Sequence, residues 1–156
     1  GLASDFNGIR QAGPAQDSKL AKLNYQELLE TRLLTTAGVT HPIKHASLFD
    51  RDDAQRVATT DKSFELSTEE IVDIQDRIIA VNTPVGASKS PIKVQGKEYS
   101  IKKVDADTLL AEADGTTVIA AVTASLVLVF TTESDQTDAL LTLARNFSEG
   151  LSNQAV

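Results

Sequence analysis

The chain has 156 residues, of which 41% are hydrophobic and only 4% aromatic, and its formal net charge is −7. That length suits one domain with a core of Val, Ile, Leu and Ala. The absence of cysteine excludes disulfides, a thiolate nucleophile and Cys-based metal centres. The acidic balance argues against a general nucleic-acid binder, because affinity for phosphates comes mainly from Lys and Arg.

The first 17 residues show no hydrophobic periodicity and are predicted to be a flexible N-terminal extension. Two interpretations of it stay open: a passive tail, or a regulatory arm that folds back over a partner site. The folded domain is predicted to span residues 18–152.

A first helix is predicted to begin after an N-cap at Asp17 or Ser18 and to stop at Gly38 in the left-handed conformation. Its apolar residues form an arc wider than a helix needs to bury against a sheet. They are Leu20, Leu23, Leu29, Leu33, Leu34 and Ala37, with Tyr25 and Leu28 on the flanks. Either another helix covers the surplus, or part of the arc forms a binding groove.

A hairpin and a second helix are predicted next. Residues 44–49 and 55–60 are two strand-like runs around an acidic turn at 50–53. Ser67-Thr-Glu-Glu70 is a capping box that opens the helix. The apolar residues of this helix recur at helical spacing, and they are Ile71, Ile74, Ile78 and Val81.

From Ser90 to Thr132, short β-branched runs alternate with turn signals such as Gln95-Gly96 and Asp114-Gly115, which predicts an antiparallel meander. Residues 116–132 carry no charge, but they include several Thr and Ser residues and many β-branched ones. They are therefore predicted to be two strands with a turn near residue 124, and not a membrane span. A last helix is predicted to begin at Ser134.

Motifs that carry chemistry are missing. There is no phosphate-binding glycine loop and no Gly-x-Ser-x-Gly nucleophile elbow. His41 and His45, the only histidines, have no partners at metal-ligand spacing. Asp50-Arg-Asp52 looks like the start of a calcium loop, but Gln55 stands where that loop requires glycine. We therefore expect no enzyme activity, no metal and no cofactor.

A cluster of five lysines, accompanied by a single acid, falls within residues 89–103. The lysines are Lys89, Lys93, Lys97, Lys102 and Lys103. One interpretation is a solvated sheet edge whose lysines discourage pairing with another edge. The other is a basic face that steers and orients an acidic protein surface or an anionic lipid headgroup.

The order of helix, hairpin, helix, four-strand meander and terminal helix resembles the profilins, small proteins that bind actin monomers. Three stretches carry the resemblance: Phe64-Glu-Leu-Ser-Thr-Glu-Glu-Ile71, Ile92 to Asp105 with Gly96 and Tyr99-Ser-Ile101, and Val118–Phe130 with a following helix that ends near Gly150. The resemblance covers about residues 18–151. The acidic balance and the N-terminal extension look more like the profilins of Asgard archaea than the eukaryotic ones. The resemblance to the profilins implies an α/β fold of the α+β type, with a mostly antiparallel central sheet. The N- and C-terminal helices would lie on one face and the middle helix on the other.

The resemblance implies a monomeric, cytoplasmic protein of the cytoskeleton that sequesters or delivers actin monomers and promotes their nucleotide exchange. The implied actin-binding residues are Lys97, Ser100, Lys102, Lys103, Ser134, Asp135, Gln136 and Asp138. Phosphoinositides would bind the five lysines Lys89, Lys93, Lys97, Lys102 and Lys103. Proline-rich peptides would bind between the terminal helices, where the chain has no Trp and offers Tyr25, Leu28, Leu29, Phe147 and Leu151. The alternative is a membrane-surface or small-GTPase-docking scaffold of the roadblock-like type, with no actin contact.

Overall fold

A computed structural model of the chain describes residues 25–36 and 38–154. The N-terminal extension and the predicted N-cap at Asp17 or Ser18 lie outside the described residues. So do Leu20, Leu23 and Ala37 of the predicted apolar arc.

Within the described residues, seven strands form one antiparallel sheet, and two further strands form a small separate hairpin. The small hairpin consists of β1 (Thr35–Thr36) and β2 (Val39–Thr40). The sheet consists of β3 (His45–Asp50), β4 (Arg56–Thr59), β5 (Ile92–Val94), β6 (Lys97–Val104), β7 (Thr108–Ala113), β8 (Thr116–Val122) and β9 (Leu126–Thr132). Its strand order is β4-β3-β9-β8-β7-β6-β5.

The predicted hairpin and meander are confirmed, with one correction to the meander. It has five strands and not four, because the short run Ile92–Val94 pairs with the first residues of β6. The turn predicted near residue 124 is also confirmed. There the Thr123 hydroxyl accepts hydrogen bonds from the backbone N–H groups of Ser125 (3.2 Å) and Leu126 (2.9 Å).

In the part of the chain that the structure describes, three helical segments accompany the sheet. The N-terminal helix is α-helical at residues 25–28 and π-helical over Leu29–Leu34. The middle helix spans Thr68–Ala80, and the C-terminal helix spans Thr137–Gln154. None of the described helices is long and apolar enough to cross a membrane.

Two predicted helix boundaries are wrong. The N-terminal helix does not continue to Gly38, because Thr35 already has extended backbone angles and pairs in the small hairpin. Gly38, with φ +80°, lies in the turn of that hairpin. The C-terminal helix begins at Thr137 and not at Ser134, because the Ser134 hydroxyl accepts the N–H of Gln136 (3.0 Å) in a local turn before the helix.

The sheet separates two hydrophobic cores, as the resemblance implied. On one face, the N- and C-terminal helices pack over β3, β4, β7, β8 and β9. On the other face, the middle helix packs over Phe49, Leu109, Val118 and Val129. Phe49 and Phe130 are fully buried on opposite faces, one in each core.

The side chain of Gln26 attaches the N-terminal helix to the edge of the sheet. Its amide donates to the carbonyl of Thr59 (2.7 Å) and accepts from the N–H of Thr59 (3.0 Å). Because β4 is an edge strand, this amide pairs with backbone groups that would otherwise be open to another strand.

His45 lies beside a carboxylate and an aromatic ring. Its Nδ1 is 3.1 Å from Asp61 Oδ2, and its ring stacks on Phe64 with centroids 5.7 Å apart. Hydrogen bonds from the hydroxyl and then the backbone N–H of Ser63 lower the pKa of Asp61, with smaller contributions from the charges of His45 and Arg56. Ionised Asp61 therefore stabilises the folded state.

The lowered pKa of Asp61 predicts a stability difference that depends on pH. The contribution is present above the ordinary carboxyl pKa of 3.8 and disappears as the pH falls through the lowered value. Asp61→Asn should therefore reduce the free energy of unfolding at pH 7, and reduce it much less at pH 2.5, in urea titrations. Asp76→Asn, at an exposed position of the middle helix, is the control. A difference for Asp61→Asn that stays constant with pH would contradict the assignment.

Candidate functional site

Two neighbouring lysines of β6, Lys102 and Lys103, are both exposed because of a β-bulge. The pairing of β6 with β7 shifts between Ile101 and Lys103, so that Lys102 is the additional residue. Ile101 and Val104 both pack against the core beneath the middle helix. Two residues, Lys102 and Lys103, separate them where regular alternation would allow one, and both of these side chains are exposed.

A row of polar residues crosses the sheet beside these lysines. Ser100, Glu112, Thr117 and Thr132 lie directly opposite one another on β6, β7, β8 and β9. Alternation along the strands places them on the face of the terminal helices. The row spans three strand spacings, about 14 Å.

The row ends at the segment that leads into the C-terminal helix. The Thr132 hydroxyl accepts the N–H of Ser134 (3.0 Å) and donates to the carbonyl of Pro42 (2.5 Å). Thr117 and Thr132 are buried, so the surface is continued by Glu112, which lies opposite Ser100 and lines a groove together with Ser134 and Asp135. Ser134, Asp135, Gln136 and Asp138 occupy the lead-in segment and the first helical turn.

A shallow groove of about 250 Å³ lies within this surface, between the β7–β8 turn and the lead-in segment. Glu112, Glu133 and Asp135 give it an acidic lining. Glu133 also pairs with Lys44, at 3.1 Å between Nζ and Oε2. The surface is therefore mixed in charge, with lysines on β6 and carboxylates toward the helix.

Lys97 does not join Lys102 and Lys103. Lys97 is two residues before Tyr99 and therefore lies on the same face of β6, the middle-helix side, where the Tyr99 ring is buried. Its ammonium group is 5.6 Å from the centre of that ring. The same ammonium group is 3.4 Å from Asp114 in the β7–β8 turn. Lys97 thus lies at the opposite face of β6 from Ser100.

The other two lysines of the cluster lie on β5 and before it. Lys93 is exposed on β5 directly opposite Glu98 of β6, and Lys89 is exposed in the preceding loop. The five lysines therefore do not form one basic face, and Glu98 offsets part of the charge.

The turn that begins β6 is attached to the middle helix by Glu70. The capping box is confirmed, since Glu70 accepts the N–H of Ser67 (3.0 Å) and Ser67 Oγ accepts the N–H of Glu70 (3.1 Å). The same carboxylate accepts the N–H groups of Gln95 (3.1 Å) and Gly96 (2.8 Å). Both turn residues have positive φ, so their N–H groups converge on one acceptor.

A second groove, of about 390 Å³, runs between the N- and C-terminal helices. Leu28, Phe147 and Leu151 line it, as the resemblance implied. Leu29 is fully buried beneath it in the core, and Tyr25 packs against the same core without lining the groove. The apolar arc of the first helix is thus partly covered by another helix and partly open.

Several residues of the grooves and of the surface are absent from the sites predicted from the sequence. Glu112 and Thr117 join the site only through strand register, for which the sequence carries no local signal. Leu143 and Asn146 line the helical groove together with Phe147 and Leu151. Leu143 lies one turn before Phe147, so helical spacing indicates it, whereas Asn146 directly precedes Phe147 and has no such signal.

The described residues contain no group of three or more His, Asp or Glu side chains that could hold a metal ion. What the two surfaces offer is hydrogen bonding, charge and apolar contact on rigid elements. Such surfaces are suited to association with another molecule.

Residues 23–155 match the family model Profilin. No curated protein sequence matches the chain. Among solved structures, profilin II of Acanthamoeba castellanii is 17% identical, with a TM-score of 0.64 over 85% of this chain and 99% of that one. The profilin of Schizosaccharomyces pombe is 19% identical, with a TM-score of 0.65 over the same shares. LokiProfilin2, solved in complex with rabbit actin, is 13% identical, with a TM-score of 0.61 over 88% of this chain and 97% of that one. The fold of the chain is thus the one these proteins share.

Proposed function

The chain belongs to the profilin family, and on that premise we propose that it binds monomeric actin, or a close homologue of actin, and regulates its polymerisation. The proposed contact surface combines the terminal-helix face of β6 with the start of the C-terminal helix. Its residues are Ser100, Lys102, Lys103, Ser134, Asp135, Gln136 and Asp138.

The observation that carries this proposal is the polar row from Ser100 to Thr132. Its exposed members, Ser100 and Glu112, adjoin the groove that Ser134 and Asp135 line, so segments 34 residues apart in the sequence share one exposed surface. The likeness to LokiProfilin2, which was solved with rabbit actin, supports the choice of partner. Exposed ion pairs contribute only about 0–1 kcal/mol each, so the charges of this surface would mainly orient the partner.

The test is the assembly of pyrene-labelled actin with increasing amounts of the protein. We expect slower spontaneous nucleation and a lower plateau of filament, because a bound monomer is withdrawn from nucleation. Sedimentation velocity should show a one-to-one complex with monomeric actin. Unchanged assembly at tenfold excess, with no complex, would overturn the proposal.

We further propose that the groove between the terminal helices binds proline-rich peptides. Leu28, Leu143 and Phe147 supply apolar surface, and Asn146 at the rim can hydrogen-bond a peptide carbonyl. The chain has no Trp, whose indole would supply both a flat apolar surface and a hydrogen-bond donor. We therefore expect the peptide to bind weakly.

A blocking variant tests the groove. Gly150 lines it, and a Cβ at this position meets nothing within 4 Å. Gly150→Gln should therefore fill the groove without strain and abolish amide shifts caused by a ten-proline peptide. Glu149→Gln, at the neighbouring exposed position, should keep them. Equal titrations of the two variants, or no shifts in the parent, would argue against peptide binding there.

We also propose that phosphoinositides bind Lys93, Lys102 and Lys103, with Lys89 nearby and Lys97 on the other face. Sedimentation with vesicles that contain phosphatidylinositol bisphosphate tests this proposal beside the actin assay. The roadblock-like alternative predicts vesicle binding with no effect on actin assembly, so the two assays together distinguish the functions.

A further inference from the structure

A third groove, of about 520 Å³, lies at the end of the sheet away from the start of the C-terminal helix. The β3–β4, β6–β7 and β8–β9 turns meet the last turn of the middle helix there. Ile79, Val122, Ala106 and Ala124 give it apolar walls, and Ile79 is 48% exposed. Its size is within the range of ligand sites, about 300–1,000 Å³.

Arg51 lines this groove, and two hydrogen bonds fix its guanidinium group. Its Nε donates to Gln75 Oε1 (2.9 Å), and its Nη1 donates to the carbonyl of Thr123 (2.7 Å). Gln75 is itself buried and returns a bond to the Arg51 carbonyl (3.4 Å). A guanidinium has five N–H groups, so donors remain for a ligand.

The positive charge of Arg51 is unmatched within residues 25–36 and 38–154, where no carboxylate forms an ion pair with it. Three acids of the adjoining turns have other partners. Asp50 accepts the N–H groups of Asp52 and Asp53 in its own turn. The two acids that flank Ala106 pair with Arg145 of the C-terminal helix, at 3.4 Å for Asp105 and 3.7 Å for Asp107.

We propose that this groove binds the C-terminal carboxylate of a peptide whose last side chain is apolar. The carboxylate would accept charge-assisted hydrogen bonds from the oriented Arg51 fork. The last side chain would lie against Ile79 and Val122. The exposed Asn82 also lines the groove, and its amide can hydrogen-bond a peptide backbone, which a free alkyl acid does not have. The proposal does not depend on actin binding.

The test uses acetyl-Gly-Gly-Leu with a free carboxylate and the same peptide with a C-terminal amide. In ¹H–¹⁵N spectra of the full chain, the acid should shift the signals of Ile79, Val122 and Ala124. The amide should bind at least tenfold more weakly, because it loses the charge-assisted bonds. Equal binding of the two peptides, or no shifts with the acid at 20 mM, would overturn the proposal. Octanoate that binds where the acid peptide fails would overturn the assignment to a peptide.

Neighbouring residues of the β8–β9 turn supply a matched pair of variants. Ala124 and Ser125 are both exposed, but only Ala124 lines the groove. Ala124→Glu should abolish binding of the acid peptide by charge repulsion, while Ser125→Glu should retain it within about twofold. Equal loss in both variants would point to a general charge effect and would contradict the site.

Discussion

Charge reversal at Lys102 and Lys103 is expected to weaken the binding of monomeric actin by about tenfold or more. Both side chains are exposed at the bulge of β6, on the proposed contact surface. Tenfold corresponds to about 1.4 kcal/mol, which two reversed charges at the edge of an interface can supply. The dissociation constant of the Lys102→Glu/Lys103→Glu variant, measured at 50 and 200 mM salt, checks this. The difference from the parent should shrink at the higher salt concentration.

Lys97→Glu is the control on the same strand. This substitution also reverses a lysine charge, but Lys97 lies toward the middle-helix side and pairs with Asp114. It should change actin affinity by less than about twofold, and urea unfolding should show that all variants remain folded. If Lys97→Glu weakens binding as much as the double variant, the contact surface has been assigned to the wrong face of β6.

Local signals explain which parts of the fold could be predicted from the sequence. The capping box at Ser67 and the Gln95-Gly96 turn depend on residues that are close in the chain, and both are found as predicted. The helix stop at Gly38 is wrong because a glycine with positive φ serves a hairpin turn as well as a helix end. Ser134 likewise stabilises a turn in place of capping a helix.

The composition of the candidate site was harder to predict because strand register and bulges depend on tertiary pairing. The lysine cluster was visible in the sequence, yet its division between two faces of β6 follows from alternation and one additional residue at Lys102. Glu112 and Thr117 became part of the site only when β7 and β8 were placed beside Ser100. The cluster of lysines in the sequence therefore indicates where the candidate surface lies, but not which residues belong to it.

Glu70 links the middle helix to the strand that carries the lysines. Its carboxylate accepts three backbone N–H groups, one from the helix cap at Ser67 and two from the turn at Gln95 and Gly96. Because β6 begins directly after this turn, the position of the exposed lysines depends partly on a residue outside the contact surface. The sequence predicted the cap but gave no sign of the second role.

Glu70→Ala is expected to lower the free energy of unfolding by about 2–3 kcal/mol. The substitution removes the hydrogen bonds from the N–H groups of Ser67, Gln95 and Gly96, each contributing about 1 kcal/mol, while Ser67 Oγ still accepts the backbone N–H of residue 70. Urea titration measures the total. Hydrogen exchange at the amides of Gln95 and Gly96 separates the two roles, because these amides should exchange much faster while those in the centre of β9 follow global stability.

Glu69→Ala is the matched control, since Glu69 is an exposed acid in the same first turn of the helix. It removes the same charge near the helix N-terminus, where that charge contributes about 0.3–1 kcal/mol, and should leave the exchange of the turn amides unchanged. Glu70→Gln should fall between the two, because its amide oxygen still accepts hydrogen bonds without the charge. If Glu69→Ala and Glu70→Ala are equally destabilised and the turn amides remain protected in both, then Glu70 acts through helix electrostatics alone. The attachment of the β5–β6 turn would then have to come from the side chain of Gln95, which donates to the carbonyl of Ser63 at 2.7 Å.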